Sequence, residues 1–472
     1  MPFMHIFFFY VLYALSPSVN CIRKALVILI AAGCAVGIGN VWRFPYIVGQ
    51  YGGAFFVLIY LFFLIAMGIP LLTVELAIGR ASRSSIAYCY ENLEEKGAQW
   101  HHNKWWQLAG NYILMSFYGV ITGWMLYYFF EFASGSVPPH LEKDVAVANF
   151  GSILQDPATL FSCMAAVVAF SFLIVALGVV KGIERFTKPL MLLLLGLLIF
   201  MALRSVTLDG FMDGVSFYLK PDFSKLQDNF GEAVWAAMGQ AFFTLSTGMG
   251  GIAIFGSYMS TKHRLLNEAL FIAGLDTAVA LLSGFVIFPA CFTYGINPDA
   301  GPNLLFVTMT MVFSNMSFGA FWGALFFLFM LIAAVSTLIA VFENIIAANL
   351  ELFKIDRKKA VLINFIVILG LSVLPVLGFN VLSDVHIIGS NTGITDFCDF
   401  LISNNILPIG SLVFVLFVTS KSGMKWDRYI QETNVGEGFK LTPKLFFYYR
   451  YILTTVIAVL LIIGYYTVFN RA

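Results

Sequence analysis

The stretch Gly33-Cys-Ala-Val-Gly-Ile-Gly-Asn-Val-Trp-Arg-Phe-Pro45 sets three glycines, an Asn and an Arg inside an otherwise apolar run. Each Gly costs a helix interior about 1 kcal/mol relative to Ala, and an intramembrane Arg costs at least a few kcal/mol. Non-helical backbone at membrane depth survives only where protein or a water-filled cavity covers it. A second interruption, Thr244-Leu-Ser-Thr-Gly-Met-Gly-Gly251, falls inside another apolar run. Unwound backbone offers carbonyl oxygens to a hard cation, and half-helix N-termini offer N–H groups to a carboxylate. Two such breaks in corresponding halves point to a site for a small solute near the bilayer midplane. Asp276 adds an acid between Leu275 and Thr277 of a third apolar run, where a carboxylate is rare and needs a partner. The pair Ser336-Thr337 is weaker by itself, because hydroxyls in membrane helices usually bond back to their own backbone.

Composition says what must position these groups. Of 472 residues, 60% are hydrophobic and 11% charged, against about 25% charged in a soluble domain. The chain therefore reads as an all-α polytopic membrane protein. Taking about 20 apolar residues per span, eleven helices are predicted, over 22–50, 53–79, 105–132, 159–179, 186–207, 232–258, 267–296, 318–352, 358–380, 394–420 and 446–468. Of the 27 Lys and Arg residues, only Arg43, Lys143, Arg204, Lys220, Lys225 and Arg471 fall outside if the N-terminus is cytoplasmic. That bias satisfies the positive-inside rule and puts the C-terminus outside, for a multi-pass protein of the plasma (inner) membrane. A net charge of +1 gives no reason to expect nucleic acid as a partner, and the six cysteines show no CxxC or metal-ligand spacing.

The broken helices open two equivalent halves, so the chain divides into a first repeat (22–207, helices 1–5), an external loop (208–231) and a second repeat (232–420, helices 6–10). A cytoplasmic loop (421–445) and helix 11 with an external C-terminus (446–472) follow. An offset of five helices inverts the second repeat relative to the first, which lets one site face either side in turn. Residues 1–21 form an atypical tail: Phe3–Leu15 is apolar but too short to span, and it lacks the basic region and cleavage site of a signal peptide.

Gly33 to Pro45 and Gly239-Gln-Ala-Phe-Phe-Thr-Leu-Ser-Thr-Gly-Met-Gly250 resemble the signatures of the neurotransmitter:sodium symporter family, in its bacterial eleven-helix form. Gly68-Ile-Pro70 with Glu75 and Gly79-Arg80, Gly182-Ile-Glu-Arg185 and Phe217-Tyr-Leu-Lys-Pro-Asp-Phe223 match in the same order, and the similarity extends from about 22 to 468. The resemblance implies that the amides of Ile38 and Gly39 and the Tyr118 hydroxyl hold a substrate carboxylate. The carbonyls of Ala35, Phe243 and Thr244, with Ser246, would hold its amine. Leu114, Tyr118, Phe243, Ser246, Met249, Thr337 and Val341 would line an apolar side-chain pocket. Gly37, where monoamine carriers of the family place an Asp, leaves room for an amino acid's own carboxylate.

Two Na⁺ sites are implied as well: one from Ala35, Asn40, Thr244 and Asp276, the other from Gly33, Val36, Ala333, Ser336 and Thr337. Oxygen-only ligation suits a hard cation. Asp276 departs from the Asn or Ser often found there; a fixed anion beside Na⁺ balances charge as chloride does elsewhere in the family, so chloride independence is expected. Arg43 and Asp399 would form the external gate through water, above a lid of Tyr118 and Phe243, with Asp396 one turn away. Tyr258 and Glu351 match the cytoplasmic gate, whereas the usual Arg and Trp positions hold Ser18 and Cys21. Glu343 is placed to reach across to a broken helix.

The expected function is Na⁺-coupled import of a neutral, hydrophobic or aromatic L-amino acid. An amino-acid-binding sensor and an uncoupled or proton-coupled exchanger on the same fold are the alternatives. No nucleophile–base set or phosphate loop argues for an enzyme. The implied partners are an amino acid and the lipid bilayer, and nothing in the sequence marks an oligomeric one.

Overall fold

The computed structural model describes residues 36–221, 230–296, 304–387 and 393–471. Among them the regular structure is helical, and nine helices are long and apolar enough to cross a membrane. We number the bundle α1 to α11. The described part of α1 is a wide π turn, Gly39–Arg43, continuing into Phe44–Gln50. Then come α2 (Ala54–Ser82), α3 (Asn103–Ala133), α4 (Pro157–Ala176) and α5 (Arg185–Ser205). Helix six is two pieces, α6a (Phe230–Thr244) and α6b (Gly251–Tyr258). They are followed by α7 (Leu265–Thr293), α8 (Gly319–Phe353), α9 (Arg357–Leu377), α10 (Ile394–Thr419) and α11 (Pro443–Tyr466). The nine spans together with the broken α1 and α6 account for the eleven predicted helices.

The structure adds detail to the sequence reading in three places. The interruption in α1 ends earlier than its glycines suggest: Val36 and Gly37 are bends, but helix resumes at Ile38, so Asn40 and Arg43 stand on wound backbone. Pro45, lacking an N–H, sits in the first turn after the π segment, where that donor is not needed. The predicted external loop carries a short helix, Phe211–Leu219, pinned to α7 by the Tyr218 hydroxyl on the Leu281 carbonyl at 3.2 Å. A further helix, Lys143–Leu154, lies between α3 and α4.

Helix α8 is the axis of the bundle. Apolar residues are spread around its whole circumference, as in a helix surrounded by protein, and each residue from Ile332 to Asn349 is buried, including five polar ones. Aromatic rings join it to α3 and α4, with Tyr128 stacked on Phe327 and Phe172 on Phe342 at 4.0 Å. Helix α11 is the opposite case, with Ile462 and Tyr466 about 70% exposed on its outer face.

Elsewhere helices meet through missing side chains. Where α2 crosses α6b, a Cβ built on Gly79 would stand 1.9 Å from the Ala253 carbonyl oxygen, and one on Gly256 2.6 Å from that of Leu76. Close backbone approach through small residues is how membrane helices gain contact when lipid competes for every apolar surface. The basic end of this crossing is stitched by two arginines. Fully buried Arg80 pairs with Glu432 at 2.5 Å and donates to the His263 carbonyl, while Arg83 donates to the carbonyls of Ser257 and Met259. The crossing predicts that Gly79→Ala costs about 1–3 kcal/mol through overpacking, read as a lowered unfolding temperature in detergent. Gly196→Ala, on α5 with nothing within 4 Å, should be neutral or slightly stabilising.

Candidate functional site

The gap between α6a and α6b spans residues 245–250. It leaves the last carbonyls of α6a and the first N–H groups of α6b without helical partners. Ser246 adopts φ +51°, a left-handed conformation that costs a non-glycine residue about 1–2 kcal/mol. Gly248 and Gly250 have positive φ, the first against the Leu407 carbonyl and the second against Ile86.

Side chains from the surrounding helices satisfy half of this broken backbone. Glu75, buried in α2, accepts from the amides of Gly248 (2.8 Å), Ile252 (3.1 Å) and Ala253 (3.3 Å). A carboxylate there meets both the free donors and the positive end of α6b. On α3, Gln107 donates to the Gly248 carbonyl at 2.9 Å and Asn111 to that of Met249 at 3.0 Å. Asn344 of α8 donates to Asn111 and, at 3.5 Å, to the same Met249 carbonyl. The sequence reading used Glu75 only as a matching residue and passed over Gln107, Asn111 and Asn344. Their one signal was polarity within apolar runs.

The other half of the break faces the groups that the sequence singled out. Asn40 donates through Nδ2 to Thr244 Oγ1 (3.2 Å), the Asp276 carbonyl (2.9 Å) and Asp276 Oδ1 (2.8 Å). Thr244 donates to Asp276 Oδ2 at 2.7 Å, and Asn40 Oδ1 accepts from the Gly37 amide at 3.1 Å. All three side chains are buried, and Asp276 is entirely so. No Lys, Arg or His forms an ion pair with Asp276 among the described residues. Asp276 receives one hydrogen bond on each carboxyl oxygen, and its charged form, buried here, needs a further partner. The carboxylate and the hydroxyl suit a small oxygen-coordinated cation, while the Asn40 amide turns Nδ2 toward them and Oδ1 toward the Gly37 amide.

A second oxygen cluster joins α1 to α8. Ser336 Oγ is 3.5 Å from the Val36 carbonyl and 2.8 Å from that of Ala333, and Thr337 Oγ1 is 3.5 Å from the Ala333 carbonyl. The remaining predicted donors, Gly33 and Ala35, lie outside the described residues.

Beside these clusters a small cavity opens, lined by Gly37, Ile38, Gly39, Leu114, Tyr118, Phe243, Ser246, Met249, Thr337, Ile402 and Leu407. It leaves about 20 Å³ open to the centre of a water molecule, room for about one water. Tyr118 Oη accepts from the Ile38 amide at 3.2 Å. A Cβ on Gly37 would meet Thr337 Oγ1 at 2.5 Å and Tyr118 Oη at 2.9 Å, so only glycine leaves both hydroxyls where they are. Of the predicted pocket residues, Val341 is buried one turn beyond Thr337 and is not part of this lining. Ile402 and Leu407 of α10 take a place that sequence reasoning did not foresee. Ile402 lies within a π-wound stretch, Leu401–Ile406, and Leu407 follows it; nothing in the sequence gave a signal for that winding.

Polar contacts tie the broken helices at both ends. At one end, the Arg43 guanidinium lies 4.3 Å above the Phe243 ring and donates to Ser403 Oγ (3.1 Å), which donates to Asp399 Oδ1 at 2.9 Å. The link between Arg43 and Asp399 thus runs through a serine hydroxyl, where the sequence reading put water. Toward the basic end, Tyr258 Oη donates to Glu343 Oε1 at 3.1 Å, and Arg357 holds the same carboxylate and the Val175 carbonyl. Glu343 therefore does reach across to broken helix six. Glu351 is engaged elsewhere, accepting from the Ser85 amide and hydroxyl, so Tyr258 and Glu351 are not joined to each other. Arg357 read from sequence as ordinary inside-positive charge, and its partner became visible only with the fold.

Comparison with known proteins matches these features to a family. The model of the sodium:neurotransmitter symporter family matches residues 20–141 and 142–471. An uncharacterized sodium-dependent transporter of Haemophilus influenzae is 37% identical over 414 residues, covering 84% of this chain and 89% of its own. One of Bacillus subtilis is 36% identical over 394 residues, covering 84% and 86%. Among solved structures, MhsT in complex with L-phenylalanine superposes with a TM-score of 0.84 at 36% identity, over 93% of this chain and 98% of that one. The chain belongs to the sodium:neurotransmitter symporter family, and is a sodium-dependent, multi-pass membrane transporter rather than an enzyme.

Proposed function

We propose that the protein is a Na⁺-coupled, chloride-independent symporter that imports neutral amino acids with hydrophobic or aromatic side chains. The observation that carries the coupling is the buried Asn40–Thr244–Asp276 cluster, which joins α1, α6a and α7 at the edge of the cavity. The Na⁺ ions are cargo. One sits among Asn40, Thr244 and Asp276 with the Ala35 carbonyl; the second sits among Gly33, Val36, Ala333, Ser336 and Thr337. The positive charge of the first answers the Asp276 carboxylate and draws the substrate carboxylate toward it, so ion and amino acid strengthen each other's binding. The Asp276 charge also makes an added anion unnecessary, which supports chloride independence.

The substrate carboxylate takes the Ile38 and Gly39 amides and the Tyr118 hydroxyl. The amine takes carbonyls of Ala35, Phe243 and Thr244, with Ser246. The side chain enters among Leu114, Met249, Ile402 and Leu407, where no charged group lines the wall. The relative solved with L-phenylalanine supports an aromatic or large aliphatic side chain, and the flexible thioether of Met249 suits a wall that must fit several shapes. In this reading α1–α5 and α6–α10 are inverted repeats, and Arg43–Ser403–Asp399 and Tyr258–Glu343–Arg357 are the gates that open in turn. The plasma membrane, with the basic end in the cytoplasm, is the proposed setting.

Reconstituted into proteoliposomes, the protein should accumulate labelled L-phenylalanine or L-leucine under an inward Na⁺ gradient, equally in chloride and gluconate. Asp276→Asn should raise the Na⁺ concentration for half-maximal uptake by about tenfold or more, which corresponds to about 1.4 kcal/mol. Na⁺-dependent binding without accumulation would favour a sensor, and uptake driven by a proton gradient alone would favour an exchanger. Tyr118→Phe removes one donor to the carboxylate; it should raise the substrate KM by about ten- to a hundredfold, from the roughly 1.5–3 kcal/mol of a hydrogen bond to a charged group. Its Na⁺ dependence should stay near wild type.

A further inference from the structure

Gly110 stands one helical turn before Leu114 on α3, and Tyr118 follows one turn later, so the three positions share a face. Leu114 and Tyr118 line the cavity. A Cβ built on Gly110 would lie 2.5 Å from Ile406 Cγ2, 3.3 Å from Ile406 Cδ1 and 3.4 Å from Met249 Sδ. The bare backbone at 110 therefore forms a recess holding the Met249 thioether and the Ile406 side chain. The backbone on the far side is not free to retreat: Gln107 and Asn111, flanking Gly110 on the same helix, hold the Gly248 and Met249 carbonyls. Ile406 closes the π-wound stretch of α10, whose neighbours Ile402 and Leu407 are both on the cavity wall.

We infer that Gly110 is a specificity-determining residue, which sets the size of side chain the cavity accepts through the depth of the recess beneath Met249 and Ile406. The inference rests on the amino-acid reading of the cavity. A methyl at 110 swings the flexible Met249 thioether upward or drives Ile406 and its stretch of α10 inward, and each movement shrinks the cavity by about one methyl group. Small amino acids, whose side chains stop short of that floor, do not register the change. The carboxylate, amine and Na⁺ contacts stay where they are.

The test is competition against labelled uptake or binding by phenylalanine, tryptophan, leucine, valine and alanine. In Gly110→Ala, phenylalanine and tryptophan should lose about tenfold or more in apparent affinity, the range for one methyl-sized change in an apolar pocket. Alanine affinity and Na⁺ half-saturation should not move. Ile406→Ala alone enlarges the same recess and should shift the ranking toward the bulkier amino acids. Combined with Gly110→Ala, it should return the ranking toward wild type. Equal losses for every amino acid, or an unchanged ranking in Ile406→Ala, would overturn the inference. A wild type that responds to Na⁺ but competes with no amino acid overturns the functional reading itself, and the specificity role with it.

Discussion

Inside a bilayer a helix cannot break unless something else pairs its backbone, and the rest of this structure follows from how that constraint is met at residues 245–250. The groups freed there divide into two sets. Glu75, Gln107, Asn111 and Asn344 pair the groups on the α6b side. On the α6a side, the Thr244 side chain meets Asn40 and Asp276, and among the described residues Asp276 has no ion-pair partner. The first set fixes where the break lies and how wide it is. The second is where the proposed Na⁺ site lies.

That division explains why the same few helices carry both rigidity and exchange. Helix α8 is buried along most of its length and supplies Ala333, Ser336 and Thr337 to one oxygen cluster, Asn344 to the break and Glu343 to the basic end. Helix α3 gives Leu114 and Tyr118 to the cavity and Gln107 and Asn111 to the break. The broken helices are tied by polar contacts at both ends, Arg43 to Ser403 of α10 and Tyr258 to Glu343 of α8 toward the basic loops. A polar contact made through one hydroxyl is a suitable gate, because water can replace it at little cost when the path opens.

Much of this was legible before any coordinates. Glycines clustered within apolar runs marked both interruptions, since few other residues make such a poor helix there, and an acid between Leu275 and Thr277 marked the ion cluster. Helix spans followed from hydropathy because only the bilayer demands runs of that length. What stayed hidden were relations between distant positions. Gln107, Asn111 and Asn344 are single polar residues with no period, and their use depends on which helix faces them. Arg357 sits in a basic run that charge bias already explains. Ser403 looked like any helix serine, yet it joins Arg43 to Asp399. The π winding of Leu401–Ile406, which presents Ile402 and Leu407 to the cavity, left no signature in residue type.

The central claim is that the Asn40–Thr244–Asp276 cluster is built for Na⁺, and thermal unfolding of the purified protein in detergent tests it most directly. Na⁺ is exchanged for choline at constant ionic strength, and wild type is compared with Thr244→Val, which keeps the shape and removes the hydroxyl. A ligand that binds only the folded state stabilises it by about 2.7 kcal/mol at a hundred times its Kd. The account predicts an unfolding temperature that climbs with Na⁺ concentration in wild type and climbs much less in the variant. Equal Na⁺ dependence in the two proteins, or none in wild type, would contradict it.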